Sequence, residues 1–257
     1  MLRITSAAAS HPGLRREENE DAYCVRPDLG LFLVADGMGG HAAGEIASKL
    51  AVDTIEAFLA ETQSADVNRT WPFPLDPTIS LDQNRLKAAF RLANRRIAEA
   101  MDENETLRGM ATTAAALLFG ADRSPAVAHV GDSRIYMWRQ QALQQVTQDH
   151  SWVSEQVRAG IMSEADARRH PWRNVVTRAL AGGDDPDVDI ATVPAEPGDR
   201  FLICSDGLSS VVTTEAIASS LAAGQGLEQT CQTLIDAANA AGGPDNITVA
   251  LLQVDVE

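Results

Sequence analysis

Residues 112–146 read TTAAALLFGADRSPAVAHVGDSRIYMWRQQALQQV, and this stretch decides the fold class. It holds three apolar runs in succession, Thr112–Phe119, Ala126–Val130 and Arg134–Trp138, separated by Gly, Pro, Asp and Ser. Short apolar runs punctuated by turn residues predict strands, and no helix-length segment stands between them. Parallel neighbours need a long crossover, usually a helix, so strands this close in sequence are expected to pair antiparallel.

Further out, Leu2–Ala8, Asp21–Val25 and Leu31–Ala35 predict strands before this stretch, and Phe201–Cys204 and Ile247–Val254 predict strands after it. Two amphipathic helices lie between the upstream strands and residues 112–146. One puts Ala47, Leu50, Ala51, Ile55, Phe58 and Leu59 on a single face, and the other does the same with Leu86, Phe90, Ala93, Ile97 and Met101. A third carries Leu227, Cys231, Leu234, Ile235 and Ala238. This order, strands then a helix pair then strands, departs from βαβα alternation and suits an α+β fold with helices packed outside antiparallel sheets. Thr62–Ser80, with Trp71, Pro72, Pro74 and Pro77, reads as an inert surface loop between the helices. Residues 147–185 read as an inserted subregion of short helices, where Ser163 and Asp166 have capping-box spacing. No internal repeat divides the chain, so residues 1–257 are expected to form one domain.

Composition narrows the partners. The 257 residues carry a net charge of −15, which opposes a nucleic-acid backbone, because such binding needs a surplus of Lys and Arg. No uncharged apolar run approaches the ~18 residues of a membrane span. The N-terminal MLRITSAAASHPG lacks the apolar stretch of a signal peptide. Cytoplasm and a monomer are the expectation. Cys24, Cys204 and Cys231 are widely spaced and form no C-x-x-C pair, so buried structural thiols are expected.

An Asp recurs at the edge of apolar strands. LFLVA precedes Asp36-Gly37, AVAHV precedes Gly131-Asp132, FLICS precedes Asp206-Gly207, and Asp245-Asn246 precedes ITVALLQV. Glu20-Asp21 opens the strand AYCV. Turn chemistry accounts for any one of these, since Asp bonds its own backbone and Gly tolerates φ > 0. It does not account for a carboxylate at every one. Strand ends can converge on one cleft, where several carboxylates repel one another unless a cation neutralises them. An all-oxygen set, with no nearby Cys and no His at zinc spacing, selects hard ions such as Mg²⁺ or Mn²⁺. Gly37, without a Cβ, lets its carbonyl approach an ion. Two such ions would acidify a bridging water and clamp a phosphoryl group. Arg16, just upstream of the acidic group, could hold a phosphate through paired hydrogen bonds.

Six segments together resemble the type 2C metal-dependent protein phosphatases: RREENED (15–21), LFLVADGMGGHAAGE (31–45), GMATTAAALL (109–118), AHVGDSRIY (128–136), FLICSDGL (201–208) and GPDNITV (243–249). They occur in the family's order and span nearly the whole chain. The resemblance implies a four-layer α/β/β/α sandwich, two central antiparallel sheets flanked by helices, with the metals at one end. It implies a Ser/Thr phosphoprotein phosphatase using two Mn²⁺ or Mg²⁺ ions, or three, and opposing a bacterial Ser/Thr protein kinase. Asp36 would bridge two ions and Gly37 would ligate through its carbonyl. Asp206 and Asp245 would ligate one ion, and Glu20, beside Asp21, would reach the other directly or through water. Asp132 matches the carboxylate of a third, weaker ion in bacterial members, and Arg16 matches the phosphate-binding Arg. Animal members have His directly after Asp-Gly. Here Met38 stands there and His41 follows three residues on, the bacterial pattern, so His41 and a metal-bound water are both open as the leaving-group acid.

Residues 147–185 correspond to the family's flap. From Ser151 to Leu180, Arg158, Arg168, Arg169, Arg173 and Arg178 face only Glu155, Glu164 and Asp166, a basic stretch in an acidic chain. Arg168 and Arg169 are expected to guide phosphopeptides toward the metals. Other readings fit less well. Gly37-x-Gly39-x-x-Ala42 after a strand is a loose dinucleotide fingerprint, but Asp36 would repel the pyrophosphate. No Cys has an Arg at the spacing a thiolate phosphatase needs, and no G-x-S-x-G is present. A pseudophosphatase that only binds phosphoproteins would be expected to lack ligands that are all in place here.

Overall fold

A computed structural model describes residues 2–40, 43–64, 71–120 and 124–256. Eleven strands among them form two antiparallel sheets. One is built from β1 (Leu2–His11), β11 (Ile247–Val256), β10 (Arg200–Cys204), β7 (Arg134–Arg139) and β8 (Ala142–Gln145), in that spatial order. The other runs β2 (Asp21–Arg26), β3 (Leu31–Met38), β5 (Ala114–Leu118), β6 (Ala126–Val130) and β9 (Asp189–Thr192), with β4 (Ala111–Thr112) paired to the end of β3. Helices α1 (Ala43–Glu61) and α2 (Leu81–Glu103) cover the second sheet, while α5 (Asp206–Ser209), α6 (Thr214–Ala222) and α7 (Leu227–Ala240) pack on the first.

The layers follow from side chains alternating across each strand. On β3, Leu31, Leu33 and Ala35 pack among the apolar faces of α1 and α2, whereas Phe32 and Val34 enter the space between the sheets. β11 divides in the same way: Ile247, Val249 and Leu251 meet α7, and Ala250, Leu252 and Val254 meet the other sheet. Both faces of the central strands are therefore buried, which is why they read as continuous apolar runs. Each fully buried aliphatic side chain contributes roughly 1.5–3 kcal/mol relative to exposure. All three cysteines are buried and free. No helix among the described residues is long and apolar enough to cross a membrane.

Four elements depart from the sequence reading. β8 and β9 were not expected, because ALQQ and DIAT are short, partly polar edge strands with one free side. The expected strand Thr112–Phe119 is interrupted at Thr113, whose hydroxyl accepts from the Asp36 N–H while its backbone N–H still donates to the Asp36 carbonyl. Helix α6, capped by Thr213, forms in a segment to which the sequence reading assigns no element. The Ser163 hydroxyl does cap α4 (Glu164–Ala167), accepting from the Asp166 N–H, but it also donates to the Asp166 carboxylate, so the reciprocal backbone bond of a capping box is missing. The full box forms at Ser80 and Gln83, at the start of α2. The loop before α2 is less inert than expected, since Phe73 is buried beneath the guanidinium groups of Arg91 and Arg95.

Candidate active site

Asp36 lies at the centre of the arrangement. Asp21 stands directly opposite it on β2. On its other side β5 and β4 continue one register, Val34 opposite Ala115 and Gly37 opposite Thr112, which brings Thr113 opposite Asp36. The Asp36 N–H donates to the Thr113 hydroxyl at 3.1 Å, and the Asp36 carbonyl accepts from the Thr113 N–H and the Thr112 hydroxyl, each at 2.9 Å. Its backbone is saturated, so only the carboxylate is left to satisfy.

The other acidic groups arrive from different elements. Asp206 opens α5 at the end of β10, and Asp132 follows β6. Burial, followed by repulsion from Asp21, Asp206, Asp132 and Asp245, pushes the Asp36 carboxyl well above the usual range. Burial likewise raises Asp21 to about 7, Asp132 to about 8 and Asp206 to about 6. Asp21 Oδ2 accepts from the Ser205 hydroxyl at 2.8 Å, while its Oδ1 is buried with no hydrogen-bond partner.

Glu20 is fixed through its backbone. Its N–H donates to Asn246 Oδ1 at 2.8 Å, and its carbonyl accepts from the Ser48 hydroxyl at 2.6 Å and the Gly37 N–H at 3.1 Å. Its carboxylate lies against the first turn of α1, where a Cβ on Gly44 would come within 2.5 Å of Oε1. The positive end of a helix favours an anion there, although burial is the larger influence and raises its pKa. Gly37 has a packing reason to be glycine beyond any approach to an ion, because a Cβ would fall 2.0 Å from the Gly44 carbonyl oxygen. Arg16 reaches over the site from a half-exposed position and donates to Asp245 Oδ2 at 2.9 Å.

The structure thus brings Arg16, Glu20, Asp21, Asp36, Gly37, Asp132, Asp206 and Asp245 to one end of the sandwich. His41 lies outside the described residues. Arg168 lines a groove of about 560 Å³ that also reaches Asp132 and Asp206, whereas Arg169 is exposed away from its wall. Arg158 and Arg173 share that wall. Arg178 does not add free charge, since Asp187 and Asp189 hold it at 3.0 and 3.2 Å.

Sequence reading missed a set of neutral side chains. Thr113, Ser205, Asn246 and Ser48 position the acidic residues from a distance in sequence, and nothing in their local pattern marks which carboxylate each serves. It also found no histidine cluster, but the fold makes one. Ligand atoms of His129, His150 and Asp189 lie within 4.8 Å of one another, a spacing that could hold a metal ion.

The acidic group suits a hard divalent cation. Its donors are oxygens, one buried carboxylate oxygen has no partner, and positive charge would relieve the crowding that raises its carboxyls.

The chain matches the family described as protein phosphatase 2C over residues 14–249. It is similar to the serine/threonine protein phosphatase PstP of Mycobacterium tuberculosis, 37% identical over 258 residues, covering 99% of this chain and 46% of PstP. It therefore spans about half the length of that relative. Protein phosphatase PhpP of Streptococcus pneumoniae is 35% identical over 250 residues, 95% of each chain. The solved structure of the M. tuberculosis PstP phosphatase is similar with a TM-score of 0.86 at 36% identity, over 98% of this chain and 99% of that one. A structure of the PstP catalytic domain in complex with 2 manganese ions has a TM-score of 0.82 at 35% identity, over 100% of both. This chain belongs to the protein phosphatase 2C family, the metal-dependent Ser/Thr phosphatases.

Proposed function

We propose that this chain hydrolyses phosphoserine and phosphothreonine in proteins, opposing a Ser/Thr protein kinase. The observation that carries this reading is the convergence of Asp21, Asp36, Asp132 and Asp206 with raised pKa values beside Arg16. Glu20, Asp21, Asp36, the Gly37 carbonyl, Asp206 and Asp245 would hold two Mn²⁺ or Mg²⁺ ions, and Asp132 a third. When bound, such ions acidify a water and neutralise phosphoryl charge through an in-line displacement. The Arg16 guanidinium would grip two phosphate oxygens, exchanging its bond to Asp245 for them. Water adds to phosphorus as the ester P–O bond breaks, and the departing serine or threonine oxygen takes up a proton. His41 and water are the two candidate sources of that proton. The groove beneath Arg168 leads a phosphopeptide to the acidic group, with Arg169 adding charge from outside its wall.

The test is hydrolysis of a phosphothreonine peptide by metal-stripped protein titrated with Mn²⁺ and Mg²⁺, with Asp206→Asn alongside. Metal-dependent turnover that falls about 100-fold or more in the variant is expected. No turnover by folded protein with either ion would replace catalysis with phosphoprotein binding alone.

A further inference from the structure

His150 holds the turn that carries Asp132 through two bonds. Its backbone N–H donates to the Gly131 carbonyl at 2.9 Å, and its ring Nδ1 accepts from the Gly131 N–H at 3.1 Å. Gly131 has φ +99°, and a Cβ there would come within 2.5 Å of the Thr113 side chain. The turn is therefore wedged between Thr113 and the imidazole. A backbone N–H can only donate, so Nδ1 must present its lone pair, and the proton of the neutral ring sits on Nε2. Asp189 Oδ2 lies 3.3 Å from Nε2 to accept it, and Arg178 Nη1, which can only donate and sits 3.4 Å from Nε2, has nearer acceptors in Asp187 at 3.0 Å and Asp189 Oδ1 at 3.2 Å. The partner of one ring nitrogen sets the state of the other. His129 stacks on the ring with centroids 4.6 Å apart and bonds the Gln148 carbonyl through its own Nε2. The His150 carbonyl accepts from the Thr177 N–H at 2.8 Å, next to the Ser151–Val176 bridge that closes the root of the 147–185 segment.

We propose that His150 is a positioning residue for the metal site: it fixes the Gly131–Asp132 turn, and Asp189 holds it in the tautomer that does so. The proposal rests on Asp132 being a cation ligand. Groups that orient a ligand commonly matter about 10- to 100-fold in metal affinity. The proposal also gives the His129, His150 and Asp189 group a different role from ion binding. The neutral His150 ring can offer a lone pair to an ion at Nε2 only by moving its proton to Nδ1, which breaks the bond from the Gly131 N–H and leaves only the backbone bond to the Gly131 carbonyl.

Two substitutions separate positioning from mere filling of space. His150→Asn can return an acceptor near the Nδ1 position, whereas His150→Gln reaches toward Asp189 and leaves the Gly131 N–H without one. Both lose the stack on His129. Mn²⁺ binding to the metal-stripped full chain is followed by calorimetry, with Asp132→Ala as reference and thermal midpoints recorded for every variant. The ion lost in Asp132→Ala should bind about 10-fold or more weakly in His150→Gln and within about threefold of wild type in His150→Asn. Nitrogen NMR of the metal-free wild type should show His150 protonated at Nε2 and bare at Nδ1. Equal weakening in the two variants, or a proton on Nδ1, overturns the proposal. If Asp132→Ala binds as many ions as wild type, Asp132 is not a ligand and the proposal falls with it. If Asp132→Ala loses an ion that His150→Gln keeps at wild-type affinity, only the role of His150 falls.

Discussion

Replacing Asp132 by Asn should stabilise the metal-stripped protein, and by an amount that grows with pH. Asp132 is 8% exposed, and burial, then repulsion from Asp206 and Asp149, raises its carboxyl from 3.8 to about 8. Below the unfolded value both states are protonated and the site costs nothing. As pH rises, the unfolded chain releases its proton while the folded one keeps it. Stability therefore falls from about pH 4 until the folded group ionises near pH 8, and is level above that. At about 1.4 kcal/mol per pKa unit, the displacement of roughly four units sets a ceiling of about 6 kcal/mol. Asp132 borders the groove and can turn toward water, so roughly 2 kcal/mol is the expected effect. Asn has the same shape and no proton to release.

The assay is urea unfolding of both proteins in chelator at about pH 5 and about pH 8. Variant stability minus wild-type stability should be more positive at the higher pH by roughly 2 kcal/mol. His129 and His150 are lowered by burial, and the stability they lend is lost as pH falls, the opposite sign within the same window. Both proteins carry them, so they cancel in the difference. Mn²⁺ at the higher pH should reverse the order, stabilising wild type more than the variant. A difference that is unchanged between the two pH values, or that favours wild type at the higher one in chelator, would refute the reasoning.

Two further outcomes follow from the geometry. Thr113→Val keeps the shape but strips the Asp36 N–H of its acceptor and breaks the 2.7 Å bond between Thr113 and Ser133, so a loss of about 2 kcal/mol in urea unfolding is expected. Arg168→Ala combined with Arg169→Ala should lower kcat/KM for an acidic phosphopeptide several-fold at low salt and lose most of that effect at about 0.2 M salt. An unchanged low-salt value would end the guiding role of this stretch.

The sequence by itself determined the layered architecture and the acidic residues. β5 is apolar at every position, and β3 and β11 over most of their length, because each face meets a different layer, and that shows as runs such as LFLVA and VALL. The amphipathic stripes of α1 and α2 are equally local. Asp36, Asp132, Asp206 and Asp245 stood out because a carboxylate recurring at strand ends needs a reason beyond the turn. Edge strands β8 and β9 were not legible, since a strand with one partner and one wet side need not be apolar. Only the tertiary structure decided which side chains serve those carboxylates. Ser205 bonds Asp21 across 184 residues, Asn246 bonds Glu20 across 226, and Thr113 bonds Asp36 across 77. Periodicity is a property of a few neighbouring residues, so it can be read along the chain. A hydroxyl or an imidazole acquires its role from whichever strand the sheet order lays beside it, and that order exists only once the two sheets have closed.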